Sequence, residues 1–495
     1  MSILAVGTRL ILINQPYIDN WSWRQSDVAA IARNFYQNGF HFTHPQIDWA
    51  GDQPGYVGTE FPILAFLAAI SYKVFGVHEW IGRIQAVILF AASLPFFFLL
   101  ARDLFGVTAA IWALFFYSFA PLNLFASREF MPDVPSLSLA LIGLYFFVRH
   151  CRAIRDSRIA SQHAEESRRD RASGERMLIA SAGLTSVALL IKLPTAIIGA
   201  PLACLACQRF GVSVYRRIEL WIFAAVALLP SVIWYWHAHA IAEQFYPHHF
   251  FGAGGIHIMS SGWYWKIAKQ MATSSLTPLL VILATCGVFV TGSTKNARLL
   301  HWWLAAMILF IVVVGYGNRH QWYQLPLVPI AAALAGAACT FIASKVPDQR
   351  AKITLLIFLA ASFGFPAFHY AQLFYHSSAA QLRDVGLELK RRTPENSLIV
   401  AADNGDPTIL YYAERKGWHF LEKGGIYEGN PNDSEQVIVD FEQLRGRGAT
   451  HLVFTANTIW WLDYYREFGQ HLAKSATLME TTSEFRIYKL NPSSE

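Results

Sequence analysis

Charge is scarce in this chain of 495 residues. Lys and Arg number 40 and Asp and Glu 34, together 15% of the residues, where a soluble protein carries about 25%. That shortage excludes a disordered chain and an ordinary soluble enzyme. Cysteine is sparse as well. Cys151, Cys204, Cys207, Cys286 and Cys339 all lie in apolar segments or beside a basic loop, so no disulfide framework is implied. The Cys204-x-x-Cys207 pair falls inside an apolar helix and reads as packing. Residues 1–14 (MSILAVGTRLILIN) lack the charged start and small-residue cleavage site of a removable signal peptide.

What the chain does have is apolar: 54% of it is hydrophobic and 15% aromatic. The few charges are unevenly spread. Residues 371–495 hold 13 Lys/Arg and 17 Asp/Glu, or 24% charged, and the preceding 370 hold 27 and 17, or 12%. The sequence therefore predicts a mainly α, polytopic membrane domain over 1–370 and a small soluble α/β domain over 371–495. The net charge of +6 is spread over loops, not gathered on a soluble face, so no nucleic-acid partner is implied.

A spanning helix needs about 20 mostly apolar residues. Candidate spans are 80–101, 105–122, 133–149, 177–192, 195–209, 219–238, 276–292, 299–315, 324–344 and 353–370, and 1–14 looks like the tail of another, about 11 crossings. Residues 61–75 (FPILAFLAAISYKVF) are too few and carry Lys73, so they are read as lying in or dipping into the outer leaflet. Four basic loops set the orientation: 149–176 with eight Arg, 209–217, Lys295 with Arg298, and Lys345 to Lys352. Placed inside, they leave 15–79, 123–132, 239–275, 315–324 and 371–495 outside.

Ionisable residues at a membrane surface are costly unless they are used. The first outer loop carries Arg24 and Asp27, followed from Ser26 by a short amphipathic helix whose Val28, Ile31, Ala32 and Phe35 share one face. Asp27 would sit in its first turn, where it could be no more than a cap. In the second outer loop Asp133 immediately precedes a span with Pro135 in its first turn, again open to a capping role, and Arg128 beside it has no evident structural need. The loop before the last-but-one span holds Arg319, His320 and Tyr323. These could bind an anionic phosphate, or they could be an aromatic belt with a snorkelling Arg.

Several ordered pieces resemble the GT-C superfamily of membrane glycosyltransferases. They are WRQSDVAAIARNF, FPILAFLAAISYKVFGVHEWIGRIQAV, ARDLFGVTAAIWALFFYSFAPLNLFASREFMPDVPS, LLIKLPTAI and RHQWYQLPLVPIAAALAG, within residues 9–345. More narrowly the chain resembles the dolichyl-phosphate-mannose–protein mannosyltransferase group and the bacterial aminoarabinose–lipid A transferases. The resemblance implies transfer of a sugar from a polyprenyl-phosphate donor to a hydroxyl of a lipid, glycan or protein. It also implies an integral protein of the bacterial inner (cell) membrane with its chemistry outside. In the family an acid of the first outer loop serves the acceptor and one at the end of the second supports the site, which map onto Asp27 and Asp133. Two departures stand out. Relatives often have Asp-Glu where this chain has Arg24-Gln25, and Lys-Pro-Pro where it has Glu60-Phe61-Pro62.

Such a transfer needs a base for the acceptor hydroxyl, donors for the departing phosphate and an apolar groove for the prenyl tail. Asp27 is the preferred base, with Asp133 and Glu60 as competitors. Arg24, Arg128, Arg319, His320, Tyr323 and Lys192, the last in an outward Leu-Ile-Lys-Leu-Pro turn, are the phosphate candidates. Aromatic spans such as that of Phe96, Phe97 and Phe98 would form the groove. No cofactor is assigned, but the resemblance leaves a divalent metal open, since some members use one. His237, His239, His248, His249 and His257 show no regular ligand spacing.

In the tail, 397–402 reads as a buried strand and Asp403-Asn404-Gly405-Asp406 as a turn too short for a calcium loop, with Asp406 capping the next helix. Helices follow over 434–444 and 457–469, and strands over 451–454 and 485–488. This domain would cover the site or hold the acceptor. A transporter is the main rival reading and would place charges mid-membrane. A non-catalytic homologue is the other.

Overall fold

The computed structural model describes residues 1–159, 164–245, 256–292, 295–423, 426–427 and 429–492. His248 and His249 lie outside the described residues. Among these, seven helices are long and apolar enough to cross a membrane: Glu79–Phe105, Asp133–Arg155, Arg168–Ile191, Leu193–Arg216, Ile218–Gln244, Gln321–Ser344 and Gln349–Phe374. An eighth is counted if Ser261–Ser275 and Pro278–Thr291, bent by 105°, form one span. The chain is a polytopic helical membrane protein with a small C-terminal α/β region.

The other expected spans are helical but short. Val107–Phe119 has 13 residues, about 20 Å at 1.5 Å per residue, and stops where Pro121 opens the next helix. Arg298–Val313 has 16 residues and gives way to Gly315, and Ser2–Leu10 has nine. Hydropathy reports an apolar run but not where the helix breaks. Ile63–Phe75, with 13 residues, likewise falls short of a 30 Å core.

By internal contacts the described chain forms two compact units. One takes in 1–13, 83–235 and the described part of 254–373. At its centre the helix Leu327–Ser344 is almost wholly buried and rich in Ala and Gly. A Cβ at Gly336 would lie 2.3 Å from the Ala109 oxygen, and one at Gly287 would lie 2.1 Å from the Leu334 oxygen. Small residues thus let three helices meet backbone to backbone, the close packing that holds helices together where water drives nothing. Arg9, fully buried, donates to Ser127 Oγ and the Ser118 carbonyl, each at 2.6 Å. Its guanidinium lies 4.0 Å from the Phe90 ring centroid.

The second unit comprises 14–82, the described part of 236–253, and 374–495. Its sheet runs β2-β1-β5-β7-β6, with β1 (Leu398–Ala402), β2 (Lys416–His419), β5 (His451–Thr455), β6 (Ala476–Thr481) and β7 (Phe485–Leu490). A two-stranded antiparallel pair, β3 (Glu422–Lys423) with β4 (Ile426–Tyr427), lies between β2 and β5 in sequence. β1 is parallel to β2 and β5, and β7 antiparallel to β5 and β6. The buried faces of β1, β2 and β5 meet Val437, Phe441, Trp461 and Phe468 in one core. The expected helix over 457–469 is instead two, Trp461–Tyr464 and Arg466–Ser475. The edge of β2 is not bare: Gly51 donates to the Gly417 carbonyl at 2.7 Å and Gly417 to that of Asp48 at 3.0 Å. Gly51 is required there, because its φ is +61° and a Cβ would fall 1.8 Å from the Trp418 ring.

Candidate functional site

The segment expected as the first outer loop contains a helix from Ser22 to Asn38, which starts four residues earlier than the apolar pattern suggests. Val28, Ile31, Ala32 and Phe35 are buried as that pattern requires. The earlier start puts Asp27 in the second turn, so it is not a cap; the residue before the helix is Trp21, with no side-chain cap bond. Freed from that job, the Asp27 carboxylate has specific partners. Arg24 Nη1 donates to Oδ2 at 3.1 Å and the Trp49 indole to Oδ1 at 3.2 Å.

Arg24 also reaches Glu60. Its Nη2 donates to both Glu60 oxygens, at 2.7 and 2.8 Å, and Thr59 Oγ donates to Glu60 at 3.1 Å. The side chains of Arg24 and Glu60 are 9% and 12% exposed, so the pair lies largely out of water, where its attraction counts. Burial pushes the Asp27 carboxyl above the ordinary carboxylate range. The Arg24 charge and the Trp49 N–H counter it, Glu60 adds to it, and the His419 charge counters it.

His419 closes β2, and Asp403 lies just beyond the carboxyl end of the parallel neighbour β1, the end at which open α/β sheets gather their polar groups. Both Asp403 oxygens lie 2.9 Å from His419 Nδ1, and the pair is buried. Burial raises the Asp403 carboxyl, against the pull of His419. The Trp49 ring packs on the His419 ring with centroids 5.0 Å apart. One continuous set therefore runs Glu60–Arg24–Asp27–Trp49–His419–Asp403. Ser22 Oγ donates to Asp406 Oδ2 at 3.0 Å, and Asp406 Oδ1 accepts from the Thr408 backbone at 2.9 Å; the helix starts at Thr408 with Pro407 as its cap residue, one position later than expected, so Asp406 lies just before the cap.

In the other unit Asp133 opens the helix Asp133–Ile159. Lys192 Nζ lies 3.5 Å from its Oδ1 and 5.5 Å from the Tyr323 ring centroid. These three line, with Leu137, Phe310 and Trp322, a cavity of about 20 Å³, room for one water molecule. The Lys192 turn is held by Ser136 Oγ, 2.7 Å from the Ala188 carbonyl and 2.6 Å from Thr195 Oγ. Arg319 is exposed and stacks on Tyr316 at 3.9 Å, and His320 stacks on Trp322 at 4.4 Å. Arg128 does have a structural task. It is fully buried, 2.9 Å from Glu129, and donates to the Leu12 carbonyl at 2.7 Å.

A family model described as dolichyl-phosphate-mannose-protein mannosyltransferase matches residues 52–159. ArnT from Cupriavidus metallidurans, bound to undecaprenyl phosphate, superposes over 99% of this chain and 97% of its own with a TM-score of 0.65 at 15% identity. The chain has the GT-C fold. The archaeal oligosaccharyltransferase AglB from Archaeoglobus fulgidus, in complex with an inhibitory peptide and a dolichol-phosphate, matches this fold over 99% of the chain and 74% of its own (TM-score 0.62, 11% identity). The arabinofuranosyltransferase AftD from Mycobacteria matches over 99% and 40% (TM-score 0.59, 14% identity). Among curated protein sequences none matches the chain.

Within this GT-C fold the two departures noted in the sequence are one exchange: the cation at position 24 and the acid at position 60 bind each other. The same pair bears on a metal. The position between the Asp27 and Glu60 carboxylates is filled by the Arg24 guanidinium, so these two do not make a divalent-ion site. Among the described residues no group of three or more His, Cys, Asp or Glu is placed to hold an ion. Trp49 and His419 were not singled out in the sequence, and Asp403 was read only as part of a turn; the one signal was a polar residue following the strand over 397–402.

Proposed function

We propose that this protein is a membrane glycosyltransferase that moves a sugar from a polyprenyl-phosphate donor to a hydroxyl of a lipid, glycan or protein at the outer face of a bacterial inner membrane. The observation that carries the proposal is Asp27: a largely buried carboxylate with a raised proton affinity, held by an Arg and an indole N–H, in a chain of GT-C fold. A base near the working pH is the most effective proton acceptor.

In this reading Asp27 takes the proton of the acceptor hydroxyl as its oxygen attacks the anomeric carbon. The bond from that carbon to the phosphate oxygen breaks, and the polyprenyl phosphate leaves with the electron pair. Lys192, Arg319, His320 and Tyr323 are assigned the phosphate by the chemistry of that group taken by itself. Arg24 keeps Asp27 ionised, and Glu60 holds Arg24. Asp133 orients Lys192, and Arg128 supports the loop that leads into Asp133. Residues 371–495 form the outer domain, and 1–370 the transferase domain.

Membranes containing the protein, supplied with a polyprenyl-phosphate sugar labelled in the sugar, test this. Transfer predicts label on an acceptor and free polyprenyl phosphate in equal amounts. Movement of the intact lipid across the bilayer, without cleavage, would support a transporter instead.

A further inference from the structure

The loop between Pro45 and Val57 is closed at its base: Val57 donates to the Pro45 carbonyl and Ile47 to that of Gly55, each at 2.9 Å. Beyond that base, residues 48–52 are held at three places. Asp48 grips the helix Ser22–Asn38, accepting from Asn34 Nδ2 at 2.9 Å on one oxygen and from Arg33 on the other. Asn34 stands two turns along that helix from Asp27, on the same face. On the sheet, Gly417 of β2 turns both its N–H and its C=O to the loop, toward Asp48 and Gly51. Arg447 then clasps Asp52, its Nη2 and Nε lying 2.6 and 3.1 Å from Oδ1. The same guanidinium lies 5.1 Å from the centroid of the Trp418 ring, against which Gly51 packs. Between these holds is Trp49, whose indole donates to Asp27.

An edge strand leaves backbone groups unpaired and is usually covered. Cover alone asks only for backbone pairing along β2. It does not ask for a side-chain grip on the helix that carries Asp27, nor for an Arg–Asp clasp beside the glycine. A donor aimed at one oxygen does ask for them, because it must be held to within about 0.5 Å. At 3.2 Å the Trp49 bond is at the long end of the N–H···O range, so a small drift of the loop breaks it. Trp418 is fully buried in the core of the sheet and is a fixed wall for the Gly51 backbone.

We infer that residues 48–52 are a strap by which the C-terminal sheet holds the Trp49 indole on Asp27. Gly51, Asp52 and Arg447 are positioning residues that act on the transfer through Trp49. This rests on the reading of Asp27 as the base. It gives the C-terminal sheet a part in the chemistry, since the sheet sets where a donor to that base stands.

Profiles of kcat/KM against pH, for the full-length protein in proteoliposomes with labelled polyprenyl-phosphate sugar, test the strap. The variants are Trp49→Phe, Gly51→Ala, the two together, Asp52→Asn, Arg447→Gln and Arg447→Lys. Loss of a hydrogen bond to a carboxylate raises its pKa, so Trp49→Phe and Gly51→Ala should each move the acid limb upward by about one pH unit. The double variant should move it no further than Trp49→Phe does. Asp52→Asn and Arg447→Gln break one clasp with opposite changes of charge. Both should move the limb upward by less, and Arg447→Lys should restore part of it; a direct effect of charge on Asp27 would separate them in opposite directions. A shift in Trp49→Phe with none in Gly51→Ala, a further shift in the double variant, or a uniform loss at every pH in the clasp variants overturns the strap and leaves the base in place. If Gly51→Ala does not fold, the two clasp variants decide. No shift in Trp49→Phe also overturns the strap; whether the base falls with it is read from Asp27→Asn, which transfers at the natural rate only if the base is wrong.

Discussion

Arg24 and Glu60, 36 positions apart in the chain, are joined by a single guanidinium nitrogen lying 2.7 and 2.8 Å from the two carboxylate oxygens. Removing one partner of a buried pair costs about 3–5 kcal/mol, and reversing it adds the repulsion of like charges facing each other out of water. Arg24→Glu or Glu60→Arg alone is expected to lower both the melting temperature and the transfer rate, and the double exchange to recover much of each. A double-mutant cycle measures the coupling; additive losses would show that the pair matters to neither.

The acid limb of the pH–rate profile reports Asp27. As a base it must be ionised, so activity falls as pH drops through its raised pKa. Because the Arg24 charge lowers that pKa and the Glu60 charge raises it, Arg24→Gln should move the limb to higher pH and Glu60→Gln to lower pH. Both changes break the same pair, so a merely structural effect would not separate them. Profiles of kcat/KM in proteoliposomes make the comparison.

Trp49 and His419 act through Asp27. Trp49→Phe keeps a ring packed against His419 and removes the N–H bond of 3.2 Å; His419→Gln removes a charge that lowers the Asp27 pKa. Each is expected to shift the acid limb upward with a modest loss at the optimum. A uniform loss at every pH would assign them to packing alone.

Lys192 tests the phosphate assignment. Lys192→Met should lower the transfer rate about 10²–10³-fold if its charge stabilises the departing phosphate. Lys192→Arg should keep part of it. Steady-state kinetics against donor concentration separate the two, and wild-type rates in Lys192→Met would remove the residue from the chemistry.

Much of this was legible in the sequence. Apolar runs located the long helices, and the charge contrast located the C-terminal domain with β1, β5 and β7. Asp27, Asp133 and Glu60 were visible as acids in the segments between apolar runs. Other features were not, for physical reasons. The helices end at Phe119 and Val313, two or three residues before the apolar runs 105–122 and 299–315 do, and hydropathy does not resolve that difference. The start at Ser22 carries no capping side chain to announce it. The Arg24–Glu60 and Asp403–His419 pairs are made by tertiary contact between distant segments, and a single sequence shows each partner only as a lone charge. β2, with the short pattern Lys-Gly-Trp-His, has no alternation to mark it, and Gly417 is there because the Ile399 backbone passes where a Cβ would be.

Asp27→Asn is the most direct test. The Asn keeps the shape and can still accept from Trp49 but cannot take a proton. With labelled polyprenyl-phosphate sugar, transfer should fall about 10²–10⁴-fold while the protein retains its melting temperature and still binds polyprenyl phosphate. Transfer at the unmodified rate by a folded Asp27→Asn protein would contradict the account.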